Sequence, residues 1–200
     1  MIKLGESGLK LNFATANILI VEDKVSEQDI LAQILMGFGV PGIQRRATAD
    51  DAMRAMATET FDLALIDASL KETDGYELVR TIRRETQATV KHLPIFLLCG
   101  HVLMPDVLQA RDCGANFVLT KPISPQVLFD RIVWLARARR VFVECETYVG
   151  PDRRFKSFGP PVGKAGRRHD DLSAQVGEPS GANLSQDAID GFFNPGKVSL

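Results

Sequence analysis

The chain has 200 residues, 45% of them hydrophobic and 24% charged, with a formal net charge of -1. It is too apolar to be wholly disordered, and its balanced charge gives no pull toward nucleic acid or an anionic membrane surface. No apolar run approaches the roughly 18 residues that a membrane span needs. The start, MIKLGESGLKLNFATA, lacks the basic-then-apolar layout of a secretory signal. Cys99, Cys113 and Cys145 form no CxxC pair, and so odd and sparse a set points to the reducing cytoplasm, not to a disulfide framework.

Taken in chain order, apolar runs alternate with helical patterns. Residues 17–22 (NILIVE) form a short β-branched run that reads as a strand buried on both faces. Residues 26–38 follow with Ile30, Leu31, Ile34, Leu35 and Phe38 at helical spacing, and Gly37 and Gly39 at the end, where a helix C-cap favours glycine. Residues 43–47 are a weaker strand whose Arg45 and Arg46 suit a sheet edge. Residues 49–58 are helical, 61–66 (FDLALI) are a second buried strand ending at Asp67, and 74–85 form a helix with Leu78, Val79 and Ile82 on one face. Residues 94–98 (PIFLL) give another central strand. A helix with Pro105 in its first turn then runs to Gly114. Residues 116–119 are a short strand and 125–137 an amphipathic helix. Five strands alternating with five helices on short connections predict an α/β fold, with a parallel sheet covered on both faces.

Ligands of such sheets sit beyond the carboxyl ends of the strands. Glu22 and Asp23 follow the first strand, Asp67 follows the third, Cys99 follows the fourth and Lys121 the fifth. Three acids on one rim repel one another, a conflict that a hard divalent cation removes. Mg²⁺ takes oxygen ligands and bridges carboxylates to phosphate, and a lysine beside it offers a compact positive charge to a phosphoryl group.

These residues carry a resemblance. NILIVED, the LALID strand with Asp67, Asp74-Gly75, Gly114-Ala115 and Lys121-Pro122 resemble, in order and spacing, the receiver domain of bacterial response regulators over residues 16–138. The resemblance implies a flavodoxin-like sheet of order 2-1-3-4-5 and a phosphoacceptor signalling protein, not an enzyme. It implies that Asp67 is the phosphoacceptor and that Lys121 contacts the phosphoryl group. Mg²⁺ is then held by Glu22, Asp23, Asp67 and the backbone carbonyl of Ser69. The implied partner is a histidine kinase or a histidine phosphotransfer protein, and the implied place is the cytoplasm.

Three positions depart from that family. Cys99 stands where a switch hydroxyl is usual, and a thiol is a weak donor. Val118 stands where an aromatic is usual, and Lys71 replaces a common proline. These changes leave the phosphorylation chemistry intact and alter its transmission. The alternative reading is therefore a phosphorylation-independent interaction module that acts through its tail.

The rest of the chain divides into a 1–15 extension, a basic Gly/Pro-rich linker over 139–182 and a tail over 183–200, expected to be largely disordered. Residues 139–149 (RRVFVECETYV) are expected to add a short strand or docked segment. The basic linker invites a nucleic-acid reading, placed last because no recognition fold accompanies it. Within the tail, NLSQDAIDGFF (183–193) places Leu184, Ile189, Phe192 and Phe193 on one stripe of a short helix that Ser185 can cap. So short a helix needs a surface to fold on. It is similar to the N-terminal receiver-binding peptide of the flagellar motor switch protein. That likeness implies a contact between tail and receiver, in cis or in trans, and a chemotaxis setting.

Overall fold

The computed structural model describes residues 2–3, 10–137, 141–152, 185, 186 and 189, with the backbone alone at 2, 3, 10 and 11. Five strands form one parallel sheet: β1 (Asn17–Val21), β2 (Gly42–Arg46), β3 (Leu63–Asp67), β4 (Ile95–Cys99) and β5 (Phe117–Thr120). Their order is β2-β1-β3-β4-β5, the expected 2-1-3-4-5. Five helices connect and cover them: α1 (Val25–Gly37), α2 (Ala49–Thr58), α3 (Gly75–Arg84), α4 (Met104–Cys113) and α5 (Pro125–Arg137).

The central strands are apolar along their length because helices lie on both sides. Every residue of β3 and β4 is buried, Asp67 and Cys99 included. Leu19, Ile20, Leu65, Ile66, Phe96 and Leu97 are closed off completely from solvent. β2 lies at one edge, as its arginines suggested, and Arg45 pairs there with Asp29 of α1 at 2.5 Å.

Local chemistry starts and stops the helices. The Thr48 hydroxyl accepts from the Asp51 backbone N–H at 3.1 Å to open α2, and the Asp74 carboxylate accepts from the Tyr76 N–H at 2.9 Å to open α3. Pro105 sits in the first turn of α4, and Gly114 closes that helix at φ +98°, a left-handed conformation that glycine adopts without strain.

Three features go beyond the predicted set. In the 1–15 extension, Ile2–Lys3 and Lys10–Leu11 pair antiparallel. One extra helical turn, Ala88–Lys91, precedes β4. After α5 the chain forms an antiparallel hairpin, β6 (Phe142–Cys145) and β7 (Tyr148–Pro151), where a single strand or docked segment was expected. The hairpin packs on α3 and α4.

Candidate functional site: an acidic cup at the strand ends

Sheet register brings the site together. Val21 lies level with Ile66, Asp67 with Leu98, and Cys99 with Thr120. The residues that follow β1 and β5 therefore meet Asp67 on one rim. Glu22, Asp23 and Asp67 each offer a carboxylate oxygen within 4.8 Å of the others. The expected trio is assembled by two strands lying side by side, β1 and β3.

Glu22 is fully buried. The Lys24 backbone N–H donates to its Oε1 at 3.1 Å, and Lys121 Nζ donates to its Oε2 at 2.6 Å. Burial pushes its carboxyl above the ordinary range, against the lowering effect of the Lys121 hydrogen bond. Gln28 of α1 donates its carboxamide N–H to the Glu22 carbonyl at 2.5 Å and so fixes the turn that carries the acids.

Lys121 follows β5, and its bond to Pro122 is cis. Its ammonium lies 3.0 Å from Asp67 Oδ1 and also hydrogen-bonds Glu27 of α1. Burial works to lower the Lys121 pKa, but hydrogen bonds to Glu22, Glu27 and Asp67 outweigh it and hold the ammonium well above its usual range. Glu27, hydrogen-bonded by Lys121, is drawn down to about 2. Glu27 was missed in the sequence, where it reads as an ordinary acid in a helix first turn.

Asp23 is the acid left short. Its side chain is 8% exposed, its Oδ2 lies 3.5 Å from the Lys71 ammonium, and its Oδ1 is buried without a hydrogen-bond partner. Lys71, the residue standing where proline is usual, thus reaches the cup. Ser69 follows Asp67 by two positions and bridges to Asp74. Gly75 permits the close return of α3: a Cβ there would meet the Asp67 carbonyl oxygen at 2.1 Å and Ala68 Cα at 2.8 Å.

Cys99 ends β4 on the same rim. It is buried, with Sγ 3.6 Å from the Tyr76 hydroxyl of α3, and burial pushes its thiol up to about 11. Such a thiol is neutral near pH 7 and serves as a small packing group. Val118 is fully buried in β5.

A parallel 2-1-3-4-5 sheet with three carboxylates and a lysine at its carboxyl rim defines a class of phosphate-handling signalling domain. Residues 18–133 match the response regulator receiver domain family, and the chain belongs to it. Among curated proteins it is 30% identical over 132 residues to the transcriptional regulatory protein YvrH of Bacillus subtilis, covering 66% of this chain and 53% of that protein. It is 25% identical over 115 residues to the chemotaxis protein CheY of Pseudomonas aeruginosa, covering 58% of this chain and 91% of CheY. The chain thus spans about half the length of the first and nearly all of the second. Among solved structures, the receiver domain of a sensor histidine kinase from Pseudomonas aeruginosa PAO1, with magnesium coordinated in its active-site cleft, is 30% identical with a TM-score of 0.54. That match covers 61% of this chain and 97% of the other. No described helix is long and apolar enough to cross a membrane.

Proposed function

We propose that this chain is a cytoplasmic response regulator whose Asp67 accepts a phosphoryl group from a phosphohistidine. The donor is a histidine kinase or a histidine phosphotransfer protein, and output passes through protein contacts. The observation that carries the reading is the convergence of Glu22, Asp23 and Asp67 with Lys121 held 3.0 Å from Asp67.

The donor set fits Mg²⁺: three carboxylates lie within 4.8 Å of one another, and one buried oxygen, Asp23 Oδ1, has no partner. Glu22, Asp23, Asp67 and the Ser69 carbonyl are the ligands proposed. When bound, the ion offsets the charge of the acids and of the phosphoryl oxygens. The rest is done by the chain. An Asp67 carboxylate oxygen attacks phosphorus in line, the P–N bond to the donor imidazole breaks, and its electron pair leaves with the ring. Lys121 turns from its carboxylates toward the new phosphoryl oxygens and holds them by charge. The product is an acyl phosphate on Asp67.

The test is incubation with acetyl phosphate or a kinase plus Mg²⁺. One base-labile phosphoryl group per chain is expected, lost in Asp67→Asn; a gain that survives this substitution refutes the assignment.

The tail belongs to the same proposal. A contact between tail and receiver, in cis or in trans through Leu184, Ile189, Phe192 and Phe193, fits a chemotaxis-type setting. Ile189 is fully buried; Leu184, Phe192 and Phe193 lie outside the described residues. A second reading draws on the Cys99–Tyr76 pair, which puts a neutral thiol at the switch position. Under it the chain is a phosphorylation-independent interaction module, and Asp67→Asn retains full biological output.

A further inference from the structure

The two edges of the sheet are finished differently. An exposed strand edge presents unpaired N–H and C=O groups to any strand that comes near, and proteins guard such edges with charge or cover. β2 carries Arg45 and Arg46 and is guarded by charge. β5, the other edge, is Phe-Val-Leu-Thr and has no charge of its own.

The cover on β5 comes from far along the chain. The Gln186 carboxamide donates from Nε2 to the Val118 carbonyl at 3.1 Å. Its Oε1 accepts from the Thr120 backbone N–H at 3.0 Å and from the Thr120 hydroxyl at 3.1 Å. One side chain thus supplies both halves of what a neighbouring strand would offer to a carbonyl and an amide two residues apart. The Ile189 N–H donates to the Ser185 carbonyl at 3.1 Å, one helical turn back, and Ile189 joins the hydrophobic core with no exposed surface. Burial of an isoleucine and satisfaction of two edge groups work together.

We propose that Ser185, Gln186 and Ile189 form an intramolecular latch that closes the β5 edge, so that any protein reading this edge must compete with the chain's own tail. The occupant is the same molecule, because a tether holds the segment at an effective concentration on the order of millimolar. The latch sharpens the tail contact proposed above by committing it to the cis form and naming Gln186 as its anchor. It stands whether or not Asp67 takes a phosphoryl group.

The test is hydrogen exchange of the Thr120 amide in the full chain. The latch predicts exchange faster by about tenfold or more in Gln186→Ala and in Ile189→Asp, with β1 and β3 amides unchanged as the check on folding. Gln186→Glu keeps an acceptor and loses the donor, and is expected to fall between. Dilution from about 100 to about 1 µM is expected to leave the unmodified chain's protection unchanged. Equal Thr120 exchange in Gln186→Ala and the unmodified chain overturns the latch. Protection that fades on dilution also overturns it, by assigning the segment to a second copy. Deletion of residues 183–200 separates the two claims. If deletion deprotects Thr120 and Gln186→Ala does not, the anchor fails and the tail contact stands; if deletion changes nothing, both fail.

Discussion

The two ends of the sheet hold charge in opposite ways. At the amino end of the strands, Arg83 is 1% exposed and surrounded by oxygen. Its guanidinium donates to the carbonyls of Gly114 at 2.9 Å, Lys91 at 2.7 Å and Leu93 at 2.7 Å, and to Asn116 Oδ1 at 3.2 Å. Phe142 of the hairpin lies beside it, with its ring centroid 5.5 Å from the guanidinium carbon. Burial lowers its pKa to about 10, still far above neutrality, so the charge is retained and satisfied by neutral acceptors. At the carboxyl end, Glu22, Asp23 and Asp67 crowd together and one oxygen of Asp23 goes without a donor. One cluster is closed by the fold itself; the other is closed by what it binds. That difference separates a structural charge from a functional one more clearly than burial does, since Arg83 and Glu22 are buried alike.

The comparison can be broken at either end. The largest effect is expected from Asp67→Asn, which abolishes phosphoryl uptake while the sheet still forms; intact mass after acetyl phosphate treatment measures it. Next comes Arg83→Met, which takes the guanidinium donor from the carbonyls of Gly114, Lys91 and Leu93, while Asn116 Oδ1 keeps the Ile95 N–H at 2.9 Å. The expected cost is about 3 kcal/mol or more by urea unfolding, with phosphoryl uptake retained at low denaturant. A milder effect, of opposite sign, is expected from Asp23→Asn. Removing one of three crowded charges stabilises the metal-free protein by about 1 kcal/mol. The same change removes the rise in melting temperature that Mg²⁺ gives the unmodified chain. If Asp23→Asn destabilises the metal-free form, the claim that this end is incomplete by itself is wrong.

The smallest effect is a pH dependence. Glu27 is held at about 2 against an ordinary 4.5. A depressed carboxylate contributes stability that is complete above its unfolded pKa and is lost as pH falls through its folded one. The unmodified chain should therefore lose stability between about pH 4.5 and 2 more steeply than Glu27→Gln, as thermal melts across that window will show.

Most of the acidic cup was legible because each of its acids ends or follows an apolar run, and a parallel sheet aligns such positions. β1, β3 and β4 were legible for the same reason: burial on both faces leaves an uninterrupted apolar signature. The satisfied end was not. Arg83 with Arg84 reads as favourable charge in the last turn of a helix, and its acceptors are backbone carbonyls, which leave no trace in side-chain pattern. Glu27 and Gln28 were hidden within a helix first turn. The hairpin was half seen, since its strands are short and β6 has no buried residue. Gln186 was passed over because a polar residue in an amphipathic stretch reads as the solvated face; its value lies in an amide geometry that no hydropathy pattern encodes. Lys71 was noted for the proline it replaces, and its proximity to Asp23 became visible only when the loop was folded.

The hairpin sets a limit on how this molecule can be cut. At Gly114 a methyl group would strike the Val149 carbonyl oxygen at 2.6 Å, and at Gly150 one would strike Gly114 Cα at 2.8 Å, so two glycine backbones rest directly on each other where β7 crosses the end of α4. A recombinant fragment ending at residue 133, the limit of the family match, would lack this plug and leave the ring of Phe142 missing above a buried cation. Expression vectors for crystallography or for grafting this input module onto other outputs should run through Asp152.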